Sequence, residues 1–273
     1  MKRFFLISLF GFVFILSNGQ TREQLIEKAK SYIDIGDNAN AEDVIKQIIG
    51  IDSRYEDNYI YWSNLGTVQS NLGKQKEALK SYTQSLKLNN KFVVAYINRA
   101  KLFSELGEIE NAVRDYNSSL EIEPFNQIAL LNLGMIYAKK GDFGVARFYF
   151  EKLLSKYTDD YGAASNLAII KKIQGEYSEA LIDFNRLIAN HPNEAVLYNN
   201  RASLFLELKQ YENAFTDINK ALEINPDYLV AIITKGEIFF EKGDYENACK
   251  YFELGISKGF QKERLADYLE KCK

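Results

Sequence analysis

The chain has 273 residues, is 47% apolar and 26% charged, and carries a formal net charge of -3. That is the composition of a folded globular chain with abundant helix formers, and it lacks the basic excess on which nucleic-acid binding draws. One histidine, two cysteines and no CxxC pair speak against a structural zinc site and against a disulfide framework.

Read from the N-terminus, residues 1–19 differ from the remainder of the chain. MKRFFLISLFGFVFILSNG begins with Lys2 and Arg3, continues with an apolar run from Phe4 to Leu16, and ends in small residues before Gln20. A basic start, a short apolar stretch and a small-x-small site together predict a secretory signal peptide. The run is short for crossing about 30 Å of hydrocarbon as a helix; an uncleaved membrane anchor is the alternative. The mature chain is then expected to be exported, to the periplasm or outside the cell, with no further segment apolar enough to span a membrane. Loss of Lys2 and Arg3 takes its charge from -3 to -5.

Beyond residue 20 the chain repeats itself. Ala78, Ala112, Ala146, Ala180, Ala214 and Ala248 stand 34 residues apart. Gly73, Gly107, Gly141, Gly175 and Gly243 keep the same period, with Lys209 on the remaining rung. Gly66, Gly134 and Gly236 share another ladder with Ala100, Ala168 and Ala202 at its other rungs, and all three prolines, Pro124, Pro192 and Pro226, share one register. Within a period, Ala95 to Leu106 carries apolar residues at helical spacing, and Gly107 falls where a helix C-terminus needs φ > 0. Glu108 to Ile122 is a second periodic stretch, which Pro124 ends because proline cannot continue a helix. Each period therefore predicts two antiparallel helices joined by a tight turn. Small residues on both helices let the axes approach, and Tyr82, Tyr116, Phe150, Phe184 and Phe252, with Ile218 on the sixth rung, fill the space beside them.

This pattern resembles the tetratricopeptide repeat, whose signature runs W-x2-L-G-x2-Y, then A-x3-F, then P. Trp62, Leu65, Gly66, Ala78 and Tyr82 match it, with Gln69 in the tyrosine place; Tyr96, Arg99, Ala100, Phe103, Ala112, Tyr116 and Pro124 match it in the next copy. Seven repeats are expected over 20–262, at 22–55, 59–92, 93–126, 127–160, 161–194, 195–228 and 229–262, followed by a C-terminal cap helix at 263–273. Three extra residues around Arg54 to Asn58 set the first repeat apart. The resemblance implies an all-α fold, a right-handed superhelical solenoid of antiparallel helix pairs, because repeats that cannot bury their own apolar faces stack to build one core.

No GxSxG, Walker loop or HExxH is present, so neither catalytic residues nor cofactor- or metal-binding residues are assigned, and no cofactor is expected. His191, before Pro192, reads as a surface-turn residue, and Asp159-Asp160 as a solvated pair. The signal left over is a column of amides. Asn64, Asn98, Asn132, Asn166 and Asn200 recur every 34 residues inside five consecutive first helices, where asparagine is a mediocre residue. An amide both donates and accepts, so it can pair with a peptide backbone whatever the side chains; equally, it can bond a neighbouring helix and lock repeat to repeat. The resemblance implies that first helices line a concave surface on which such amides can face bound chain, and Lys101 and Lys139 share that face. The chain is thus expected to be a protein-interaction scaffold that binds a protein or an extended peptide, not an enzyme. The alternative is an assembly or targeting subunit of an envelope complex that uses its edges or terminal repeat. Cys249 and Cys272, in the last repeat and the cap, are either bridged or two free thiols.

Overall fold

The structure, a computed structural model, describes residues 20–52 and 55–272; the expected signal segment 1–19 lies outside the described residues. Among the described residues there are fifteen α-helices and no strand. They come as hairpins: α1 (Arg22–Asp34) with α2 (Asn38–Ile51), α3 (Asn58–Asn71) with α4 (Gln75–Leu88), and α5 (Val93–Glu105) with α6 (Ile109–Ile122). Next come α7 (Gln127–Lys139) with α8 (Phe143–Lys156) and α9 (Tyr161–Ile173) with α10 (Tyr177–Asn190). The last two hairpins are α11 (Ala195–Glu207) with α12 (Tyr211–Ile224), and α13 (Leu229–Glu241) with α14 (Tyr245–Ser257). The C-terminal segment is not one cap helix. A 3-10 turn (Lys262–Leu265), the four-residue α15 (Ala266–Leu269) and a second 3-10 turn (Glu270–Cys272) succeed one another. None of the described helices is long and apolar enough to cross a membrane.

The turn inside each hairpin is set by one residue. Gly107 leaves α5 with φ 77°, and Lys209, on the rung without glycine, holds the same left-handed conformation with φ 57°. The carbonyls at the end of each first helix are met there: after α5, Glu108 N–H donates to Phe103 O and Gly107 N–H to Ser104 O, the arrangement that closes a helix around a left-handed residue. Acidic side chains cap several helix starts, Asp142 accepting from Val145 N–H and Asp244 from Asn247 N–H.

Close approach of the two helices of a hairpin comes from the small-residue ladder. A Cβ added to Gly134 would lie 2.4 Å from the Phe150 ring, and one added to Gly236 would lie 2.6 Å from Phe252. The rings are fully buried against these places, so ring and glycine are complementary halves of one contact. The core runs across repeat boundaries: Ala168, Ala180, Phe184 and Leu187 of one hairpin share a cluster with Leu197 and Leu204 of the next. This is the physical reason no hairpin stands alone.

The chain forms two compact units, Met1–Ala129 and Leu130–Lys273. In the first, α3 touches α5 as well as its own partner α4; in the second, α9 touches α11 and α11 touches α13. Among the described residues the second helices α4 and α6, or α10 and α12, make no comparable contact. Successive first helices therefore sit closer than successive second helices, so within each unit the first helices form the inner side of the curve.

Candidate functional site

The asparagine column and the small-residue ladder lie two positions apart in each first helix, which is about 200° around a helix of 3.6 residues per turn. The small residues face the second helix, so Asn64, Asn98, Asn132, Asn166 and Asn200 point away from it, toward the inner face, and all five are half-buried. The first unit holds Asn64, Asn98 and the exposed Lys101; the second holds Asn132, Asn166, Asn200 and the exposed Lys139. Residues four before, three after and seven after the column fall within about 60° of it. That face carries large apolar groups left open to solvent: in the second unit Met135 is 49% exposed and Ile173 55%, and Val230, four before Thr234 on the next rung of the same register, is 47% exposed.

The rungs differ in what their amides do. Asn98 Nδ2 donates to Thr67 Oγ1 of the preceding first helix at 3.3 Å, and Tyr82 Oη joins the same hydroxyl at 3.2 Å. Asn166 Nδ2 donates to the Gly162 carbonyl one turn back at 2.8 Å. Asn64 and Asn200 make no side-chain hydrogen bond among the described residues. Locking and availability thus coexist in one column, rung by rung.

Toward the C-terminal end of the second unit the inner face becomes charged. Lys172 Nζ of α9 donates to Ser203 Oγ of α11 at 2.8 Å. Burial holds the Lys172 ammonium below its ordinary pKa, and Glu207 and Glu237 pull it partly back. Burial likewise pushes the Glu237 carboxyl up, against the pull of Lys172, while Glu241 pushes it further. One half-buried ammonium among three carboxylates leaves an acidic end to this face. Tyr268 of the C-terminal segment closes on it, its hydroxyl pKa raised by burial and then by Glu237 and Glu241.

Other polar groups, absent from the sequence expectation, are structural. Arg99 forks onto Asp115 at 2.7 and 2.8 Å and reaches Thr83 of the preceding hairpin at 2.9 Å. Arg201 does the same with Asp217 at 2.6 and 2.7 Å and with Asn185 at 2.6 Å. Each clamp ties a first helix to its own second helix and to the one before. The sequence held a signal for them, an Arg sixteen residues before an Asp at the same place in two repeats. At the C-terminus Cys249 of α14 and Cys272 form a disulfide with Cα atoms 5.5 Å apart, beside a cluster of Ile233, Phe252, Leu265 and Tyr268.

Comparison with known proteins accounts for this architecture. Tetratricopeptide repeat models match residues 59–92, 97–161, 195–228 and 230–257. A crystal structure of a tetratricopeptide repeat protein from Parabacteroides merdae superposes with a TM-score of 0.78 at 34% identity, covering 93% of this chain and 99% of that one. More distant in sequence are PilW, a type IV pilus biogenesis factor, and YrrB, a repeat protein with an unusual peptide-binding site. PilW has TM-score 0.63, 20% identity and coverage of 72% and 91%; YrrB has TM-score 0.55, 21% identity and coverage of 69% and 95%. These two share the fold alone. No curated protein matches the chain in sequence. The period, the hairpins and the long match at 34% identity lead to one conclusion: the chain belongs to the tetratricopeptide repeat family.

Proposed function

We propose that the chain is an exported interaction scaffold that grips an extended segment of a partner protein along the inner face of its first helices and performs no chemistry of its own. One observation carries this reading. Asn200 is held half-buried without a side-chain hydrogen bond among the described residues, on a face where Met135, Ile173 and Val230 stay open to solvent. An amide with capacity to donate and accept, bordered by uncovered apolar groups, suits a backbone with alternating side chains. YrrB, of the same fold, is described as carrying a peptide-binding site, which agrees with this use of the architecture. Export rests on the N-terminal reading and is checked by fractionation and by sequencing the mature N-terminus, expected at Gln20.

The test is a pair of substitutions. Asn166→Ala with Asn200→Ala should weaken partner capture by roughly tenfold or more, the worth of one to two net hydrogen bonds, with the melting temperature nearly unchanged. A large fall in melting temperature with capture intact assigns the column to locking and overturns the reading.

A second reading, an assembly subunit that docks through its outer side, is favoured by Phe148 and Ile182. They occupy the same place in consecutive second helices and are exposed at 59% and 66%. PilW, again of the same fold, is a pilus biogenesis factor. Phe148→Ser with Ile182→Ser would abolish capture under this reading and leave it intact under the first.

A further inference from the structure

One place in the first helices is filled by a bulky side chain in every copy but one. On the register of Trp62 stand Tyr96, Leu130, Tyr198 and Ile232, while α9 has Ala164. A cleft of about 730 Å³ opens there, lined by Leu154, Thr158, Asp159, Tyr161, Arg186 and His191 among others. One repeat further on, where Tyr198 occupies the place, the corresponding cleft shrinks to about 380 Å³. The five residues Asn193, Glu194, Ala195, Ile224 and Asn225 that line it lie 34 positions after five that line the larger one. The larger volume goes with the small side chain of Ala164 at the place where the next repeat has Tyr198.

The next repeat shows how a tyrosine sits at this place. Tyr198 reaches back over the turn beside the smaller cleft, and its hydroxyl donates to the Pro192 carbonyl at 3.2 Å. The residue at the place of Pro192 is Thr158, which lines the larger cleft. The walls there are also particular to this repeat. Tyr161 and His191, where the next repeat has Ala195 and Asn225, put their rings 5.2 Å apart. Tyr161 remains 40% exposed, a rim beside the hole rather than its filling. Leu154, Ala164 and Leu187 make an apolar floor, and Asp159 and Thr158 offer acceptors at the edge. Ala164 and Asn166 lie two positions apart on α9, so this cleft opens on the opposite side of the helix from the amide column.

We propose that this cleft is a receptacle for an aromatic side chain with a polar edge, a phenol or an indole, presented by a partner polypeptide, which enters the space beside Ala164, at the place where the next repeat has Tyr198. The hydroxyl or indole N–H would donate to the acceptors around Thr158 and Asp159, and the ring would stack against Tyr161 and His191, a geometry worth more than the buried area alone. The site takes a knob from a partner where the inner face takes a strand, so the two are independent.

The experiment uses the full mature chain and N-acetyl-L-tyrosinamide and N-acetyl-L-tryptophanamide as probes, with N-acetyl-L-leucinamide as the control without a ring. Protein-observed NMR should show saturable shifts confined to residues around Tyr161, Ala164 and His191 with the aromatic probes, and at least tenfold weaker binding of the control. Ala164→Tyr should fill the cleft, raise the melting temperature and weaken the aromatic probes at least tenfold. His191→Asn, which installs the residue of the following repeat, should weaken them several-fold without unfolding the chain. Absence of saturable binding, equal binding of the leucine amide, or undiminished binding by folded Ala164→Tyr would each overturn the proposal.

Discussion

The arginine clamps give the most quantitative test of how the repeats hold together. In the Arg201–Asp217 pair the carboxylate side chain is 5% exposed and the guanidinium 19%, with Nε–Oδ2 at 2.6 Å. Exposed ion pairs contribute about 0–1 kcal/mol, but removing one partner of a buried pair strands the other and costs about 3–5 kcal/mol. The guanidinium keeps some access to water and its bond to Asn185, so Asp217→Ala should fall at the lower end, about 3 kcal/mol. Replacing both members, as in Arg201→Met with Asp217→Leu, removes the stranded charge and should recover most of that loss, leaving a deficit of about 1 kcal/mol. Urea unfolding followed by circular dichroism measures the totals. Hydrogen exchange in α11 and α12 reports whether loss of the clamp uncouples the hairpin from its neighbour, since Arg201 also reaches Asn185 of the preceding one. A cost below about 1 kcal/mol for Asp217→Ala, or a double variant as unstable as the sum of the singles, would refute the reasoning.

Three further outcomes are tied to particular contacts. Gly236→Ala should destabilise by about 1–3 kcal/mol through overpacking, because the new Cβ would meet the Phe252 ring at 2.6 Å; the same urea titration checks it, and an unchanged midpoint would contradict the close-approach argument. Hydrogen bonds from Lys46 and then Lys74 hold the Glu42 carboxyl down to about 2 from its ordinary 4.5. Its contribution is thus fully present above pH 4.5 and is lost as the pH falls toward 2, and Glu42→Gln should flatten the acid limb of stability measured at pH 7, 5 and 3. Cys249→Ser opens a loop of sequence separation 23, which should loosen the C-terminal segment by about 3 kcal/mol. Hydrogen exchange should rise in 258–272 while α9 to α12 stay protected; unchanged exchange in 258–272 would count against the bridge as its tether.

Most of the fold was legible because its cause is periodic. Gly and Ala at 66, 100, 134, 168, 202 and 236 mark where helices approach, and a contact needed in each hairpin leaves one mark per hairpin. Even the odd rung kept its conformation: Lys209 takes the left-handed turn that glycine takes elsewhere, because the hairpin imposes it. The position of the amide column also comes from sequence, since two residues of offset from a buried ladder fix the opposite face. What each amide does could not be read, because it depends on a neighbour off the ladder. Asn98 finds Thr67, and in the next repeats Lys101 and Met135 stand at the place of Thr67. The clamps were hidden for a related reason. Arg99 and Asp115 belong to different helices, so their pairing shows in sequence only as an Arg–Asp spacing of sixteen shared by two repeats and not within either helix. The cleft at Ala164 was visible only as an absence, a small residue where the register has large ones, beside a histidine and an acidic pair that read as solvated turn residues. The C-terminal segment departs from the expected single helix: Gly259, with φ 101°, breaks it from α14, and the disulfide then holds short turns in place.

The central claim is that partners are held on the inner face of the first helices. Site-specific photo-crosslinking tests it most directly, with a benzophenone side chain placed at Ser203 on the inner face of α11 or at Ile182 on the exposed side of α10, in the chain expressed in its own cells. The account expects a discrete adduct from Ser203 that is lost in the Asn166→Ala, Asn200→Ala background, and none from Ile182. Adducts from Ile182 alone would contradict it.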